Sequence, residues 1–258
     1  MTAPIGLSVK RKEDGRLLTG RGRYVADVRL HGLLDAAIVR SPHAHARIER
    51  VDARRALAQP GVVAVLTVAD LPECTAAVPP LVTSSRFRPY AQPALAGPEV
   101  RHAGEAVAVV VADDAYRAAD AGELVDVHYA VLRAAASVAD AQAAGAPRVF
   151  GEWPDNVAGP AEGAVGDVAH GFAQAHAVVE AQLTVPRVAA MPIEPRGVVA
   201  QPDAPDGRLT VWASTQMPFA VRAAVAAALG LTEEQVRVIA PDVGAASAPK
   251  VTSIPRMC

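Results

Sequence analysis

The chain has 258 residues, 51% of them hydrophobic but only 4% aromatic, so Ala, Val and Leu must fill the interior of one large or two modest domains. A formal net charge of −2 argues against a nucleic-acid partner, because phosphate binding wants a clustered basic surface. No window is apolar enough to span a bilayer, no signal-peptide core follows the N-terminal charges, and Cys74 and Cys258 are too few for a disulfide framework or a metal site, so a soluble, reducing, cytoplasmic setting is expected.

From residue 21 to about 129, short apolar strands alternate with Ala-rich helices. Residues 33–40 (LLDAAIVR) and 44–51 (AHARIERV) read as strands, and Asp52 reads as the cap of a short helix over 53–58. Pro60-Gly61 breaks that helix, and 62–67 (VVAVLT) is a β-branched run of buried-strand type. After an irregular, Pro-rich stretch over 71–98, residues 106–112 (AVAVVVA) form another buried strand. Asp113 or Asp114 then caps a helix from 115 to about 124, and 125–129 returns as a strand. That strand–helix–strand unit implies a sheet covered by helices.

Residues 134–160, rich in Ala, Gly and Pro, read as a linker between domains. Beyond it, Gly166-Asp167 opens a helix over 168–175, followed by a strand over 177–185. Residues 198–201 and 209–213 flank the turn signal PDAPDG and predict a hairpin. Pro218 suits a first helical turn, and the helix runs to Leu229 with Gly230 as its stop. Thr232 with Gln235 makes a capping box before a strand over 236–239. No internal repeat is visible. The pattern is α/β, of the α+β kind.

Four blocks in the first half, RKEDGRLLTGRGRYVADV (11–28), VRSPHAHARIERVDARRAL (39–57), PGVVAVLT (60–67) and HAGEAVAVVVADDAYRAADAGELVDVHYAVL (102–132), resemble the α/β hammerhead domain of the molybdenum hydroxylase large subunits. These are the molybdopterin-binding chains of xanthine dehydrogenase, aldehyde oxidase and aerobic carbon monoxide dehydrogenase. The second half continues the resemblance with GDV (166–168), RVAAMPIEPRGVVA (187–200) and LTVWASTQMPFAVRAAVAAALGLTEEQVRVIAPDVGAASAPK (209–250). The resemblance implies a hammerhead domain over 1–133, the linker over 134–160, and the incomplete start of a molybdopterin-binding α+β domain over 161–258. It covers nearly the whole chain but only about the first third of a typical large subunit.

The resemblance implies oxidative hydroxylation with water as the oxygen source, or carbon monoxide oxidation in one branch. It implies a molybdenum–molybdopterin cofactor, the cytosine dinucleotide form among its variants. It also implies two partner chains, a FAD-binding medium subunit and a 2Fe-2S small subunit. In the family the Gln of a Ser-Thr-Gln motif lies close to a molybdenum oxo ligand, and that position is Gln216. A neutral amide can donate to an oxo group without adding a competing charged ligand. The family's catalytic glutamate lies far downstream and has no counterpart here, and substrate choice is set largely beyond position 258.

The family's Gly-Gly-Gly-Phe-Gly loop follows the strand at 236–239, where missing side chains permit close backbone approach. Here Gly244 alone matches, and residues 245–248 read Ala-Ala-Ser-Ala. Deleting one G from the second codon of GGC GGC GGC TTC GGC yields Gly-Ala-Ala-Ser-Ala. One lost base likewise turns the typical continuation Leu-Tyr-Pro-Glu-Asp-Val into Ser-Ile-Pro-Arg-Met-Cys, the residues at 253–258. Two reading-frame errors, with the frame restored near Lys250, are therefore expected in the gene. A truncated chain of this kind is expected to bind no cofactor alone. The alternative is a non-catalytic hammerhead assembly module or a gene remnant.

Other candidates read as structural. His43 and His45 form an H-x-H on one strand face with no further ligand near in sequence, which favours packing over a metal. Glu194 in MPIEPRG is a candidate general base, but Arg196 makes a structural ion pair the favoured role. TGRGRYVADV holds no G-x-G-x-x-G and is not a dinucleotide fingerprint. Arg21, Arg23 and Arg40 read as solvated, with phosphate or a partner subunit as the alternative contact.

Overall fold

The structure, a computed structural model, describes residues 6, 8–70, 86–88, 93–160, 163–183, 185, 191–203 and 205–244. Cys74, Cys258, residues 245–248, the tail at 253–258 and part of the 187–200 block lie outside the described residues.

The first half builds two three-stranded antiparallel sheets. In one, β5 (Ala106–Ala112) lies between β1 (Asp35–Arg40) and β3 (Val62–Thr67); in the other, β2 (Ala46–Asp52) lies between β4 (Glu99–Val100) and β6 (Asp126–Val131). The apolar run of β5 fits its central place, since Val107, Ala108, Val110 and Ala112 are all buried. Val107 packs with Ala46, Ala96 and Val100, and Val110 packs with Ala56, Ala121 and Val125. Val51 of β2 and Val127 of β6 lie against both groups, so the two sheets share one interior.

Helix α1 (Asp14–Leu18) precedes the sheets, α2 (Arg54–Leu57) packs on β3, and α3 (Ala115–Gly122) packs on β1 and β5. Asp114 caps α3, accepting from the Tyr116 and Arg117 amides at 2.9 and 3.0 Å. Asp52 does not cap α2 in the expected way. Ala53 takes the cap position, and the Asp52 carboxylate instead accepts from the Arg54 backbone and guanidinium. The strand–helix–strand unit also differs from expectation. Its strands β5 and β6 enter different sheets, because each finds antiparallel partners rather than each other.

Residues 134–160 carry a short helix, α4 (Val138–Gln142), that the sequence reading lacked. The Asn156 side chain joins this segment internally, accepting from the Val149 amide and donating to the Ala141 and Pro147 carbonyls. Arg101 reaches the Val149 carbonyl and lies over the Phe150 ring, while Arg88 pairs with Asp155 and lies over Trp153.

Helix α5 (Val168–Ala173) begins at Asp167, whose carboxylate accepts from the His170 amide. The strand expected over 177–185 is irregular and exposed at its described residues. It has a two-residue apolar period, but no strand among the described residues pairs with it. A third sheet follows, with β8 (Arg208–Ala213) between antiparallel β7 (Val198–Asp203) and parallel β9 (Val236–Ile239). The hairpin β7–β8 forms as expected, but its ladder runs further toward the turn, pairing Pro202 with Leu209 and Asp203 with Arg208. Helix α6 (Pro218–Leu229) connects β8 to β9, with Pro218 in its first turn and Gly230 ending it at φ +64°. The Thr232–Gln235 pair closes a turn rather than opening a helix, with Gln235 Oε1 accepting from the Thr232 amide at 2.9 Å.

Candidate functional site

Strands β8 and β9 run parallel, with Val211 opposite Val238 and Trp212 opposite Ile239. Their carboxyl ends therefore share one sheet edge, the position at which open α/β sheets receive ligands. Gln216 lies three residues beyond β8, and Gly244 lies five beyond β9.

The turn carrying Gln216 is set by its neighbours. Ser214 and Thr215 are buried polar residues. Ser214 Oγ accepts from the Gly197 amide at 2.8 Å and lies 3.3 Å from the Pro195 carbonyl, to which it can donate. Thr215 Oγ1 accepts from the Met217 amide at 3.1 Å, a local side-chain turn that leads into Pro218 and α6. Both flanks are thus hydrogen-bonded, and Gln216 between them is exposed.

The Gly244 amide donates to Glu194 Oε2 at 2.6 Å, across 50 residues of sequence. A Cβ on Gly244 would stand 2.9 Å from Glu194 Cβ and 3.3 Å from Tyr24 Cε1. Glycine is required here by protein packing, since its absent side chain makes room for Glu194 and Tyr24. Binding the Gly244 amide is a role that neither reading of Glu194 contained.

Asp242, two residues earlier, anchors the N-terminal segment. Its carboxylate accepts from both Arg16 guanidinium nitrogens, one at 2.7 Å, and from the Arg23 amide at 2.7 Å. The Asp242 amide donates in return to the Arg23 carbonyl at 2.9 Å. The Arg16 guanidinium, then the Arg23 amide, lower the Asp242 carboxyl to about 2. Arg23 thus meets the site through its backbone, and Arg40 is engaged elsewhere, donating to the Gly104 carbonyl at 2.8 Å.

The two histidines stand in the turn before β2 rather than on a strand. His43 meets the Tyr129 ring edge-on, while His45 Nδ1 lies 2.9 Å from the Arg133 carbonyl. Among the described residues no group of three His, Cys, Asp or Glu side chains is arranged to hold a metal. An open hollow of about 310 Å³ lies along α5 and the segment behind it, lined by residues such as Val168, Phe172 and Val179, and includes neither Gln216 nor Gly244.

Gln216 fits a molybdenum–pterin group: an exposed neutral amide on a fixed turn can donate to an oxo ligand without bringing charge. Gly244 fits as a loop former, its amide already committed to Glu194.

Residues 19–133 match the aldehyde oxidase and xanthine dehydrogenase a/b hammerhead domain, and residues 149–257 match the molybdopterin cofactor-binding domain. The chain belongs to the molybdenum hydroxylase large-subunit family. It is 40% identical over 242 residues to the nicotine 6-hydroxylase large subunit of Paenarthrobacter nicotinovorans, covering 93% of this chain and 29% of that one. It is 38% identical to the carbon monoxide dehydrogenase large chain of Afipia carboxidovorans, covering 96% and 32%. The crystal structure of quinoline 2-oxidoreductase from Pseudomonas putida 86 superimposes with a TM-score of 0.89 at 40% identity, covering 97% of this chain and 32% of that one. The chain thus spans 29–32% of these relatives' length.

Molybdenum hydroxylase large subunits use a molybdenum–molybdopterin cofactor and, as the relatives' names state, belong to multi-subunit enzymes. No helix among the described residues is long and apolar enough to cross a membrane. Of the residues around the two loops, the sequence singled out Gln216, Gly244 and Glu194. It missed Ser214, Asp242, Arg16 and Tyr24. Arg16 and Asp242 stand 226 residues apart, which leaves no local pattern to read.

Proposed function

We propose that residues 1–133 form the hammerhead domain, and residues from 161 onward the opening of the cofactor-binding domain, of a molybdenum hydroxylase large subunit, with 134–160 between them. The complete enzyme hydroxylates a carbon centre with oxygen from water, or oxidises carbon monoxide, in the cytoplasm. It passes electrons to FAD-binding and 2Fe-2S partner chains. The molybdenum–pterin group supplies the redox chemistry when bound. Gln216 would donate a hydrogen bond to that group from the turn after β8, and Gly244 would shape the neighbouring loop.

One observation carries this reading. The Ser-Thr-Gln turn and the Gly244 loop leave adjacent parallel strands at the same sheet edge. Metal analysis of the intact large subunit bearing these residues, purified with its partner chains from a host that makes the cofactor, tests it. Stoichiometric molybdenum is expected. Replacing Gln216 by Ala should lower kcat about 100-fold, the usual loss for one preorganised donor, with flavin and iron contents unchanged. A complex without molybdenum contradicts the enzyme reading and leaves an assembly module.

A further inference from the structure

Residues 194–197 (EPRG) bridge the two loops. At one end the Glu194 carboxylate accepts from the Gly244 amide at 2.6 Å. At the other, the Gly197 amide donates to Ser214 Oγ at 2.8 Å, while Ser214 in turn lies 3.3 Å from the Pro195 carbonyl. Pro195 restricts the backbone between these anchors. Gly197 also rests on buried Val25, where an added Cβ would stand 3.2 Å from Val25 Cγ1. Four residues thus join the start of the Ser-Thr-Gln turn to the loop after β9. Their strongest link is the charge-assisted bond that the Gly244 amide donates to the Glu194 carboxylate.

We propose that Glu194 is a positioning residue of this site. Its carboxylate sets the Gly244 loop against the Ser-Thr-Gln turn before any cofactor arrives, and Ser214 transmits the setting through Pro195 and Gly197. Loops fixed in advance present their groups without an ordering cost at binding. The inference rests on the proposed reading only in taking these loops as the ones that face the cofactor.

Amide exchange and chemical shift in the isotope-labelled 258-residue chain test the assignment. Glu194→Ala should speed exchange at Gly244 at least about tenfold and move its amide proton upfield, since a hydrogen bond to a charged acceptor is lost. Glu194→Gln keeps an acceptor oxygen without the charge. It should hold exchange within about threefold of the parent while shifting the proton part of the way. Ser214→Ala should also speed exchange at Gly244, and the two alanine changes together should speed it less than the product of their separate effects. If Glu194→Ala fails to fold, the Glu194→Gln shift decides, and a parent-like shift overturns the proposal. Unchanged Gly244 exchange in a folded Glu194→Ala chain, or strictly multiplicative effects in the double variant, would also overturn it. If Gly244 behaves as expected but the intact subunit carries no molybdenum, the cofactor reading fails and the positioning role stands.

Discussion

At Gly244 the missing side chain makes room for protein, because Glu194 and Tyr24 fill the space. Gly244→Ala should therefore cost about 1–3 kcal/mol through overpacking, measurable by denaturant unfolding. Ser214→Ala leaves the Gly197 amide without its hydroxyl acceptor, and a loss of about 1–3 kcal/mol is expected in the same measurement. Asp242 has a pH signature. Its carboxyl, held down to about 2 chiefly by Arg16, contributes fully above the unfolded carboxylate value of about 4. That contribution is lost as pH falls from about 4 through about 2. Protection of the Arg23 amide, relative to its intrinsic exchange rate, should fall as pH drops through that window in the parent and lose this step in Asp242→Asn. A flat parent profile would show that the Arg16–Asp242 clasp is not formed.

Elements were legible in the sequence where a period or a breaker marked them. The apolar run of β5 and the Pro218-to-Gly230 limits of α6 appear as read, and the β7–β8 hairpin forms with Pro202 and Asp203 of the turn signal paired in its ladder. Strand partnership was not legible, because an apolar run shows that a strand is buried without showing beside what. So β5 and β6 entered separate sheets despite the short helix between them. The strand expected over 177–185 failed for the same reason, since periodicity supplies no partner. At the site, Gln216 and Gly244 could be marked from their motifs, while the long-range bonds from Glu194 and Asp242 left no spacing to read. Val110, fully buried in central β5, gives an element-scale check. Val110→Ala should destabilise the hammerhead by about 2 kcal/mol, through lost burial and a new cavity.

Across the whole molecule, packing is uneven. Residues 134–160 are tied to the first half by Arg88 and Arg101 and joined internally by Asn156. From 163 to 183 every residue is exposed, including Val179 at 89% and Phe172 at 63%. Limited proteolysis should therefore cut first between 163 and 185 and leave a fragment ending near residue 160, rather than one ending near 134. First cuts inside the described strands and helices of 35–67 or 99–131 would contradict this division. What joins the two halves near the site is a set of named bonds, Asp242 to Arg16 and Arg23, supported by Val25 against Gly197. The most direct test is hydrogen exchange across the intact large subunit with and without its molybdenum cofactor. Protection beyond that of their own hydrogen bonds is expected at residues 214–217 and 242–244, the two loops at the carboxyl edge of β8 and β9. Protection gained elsewhere, with both loops unchanged, would contradict a cofactor site at this edge.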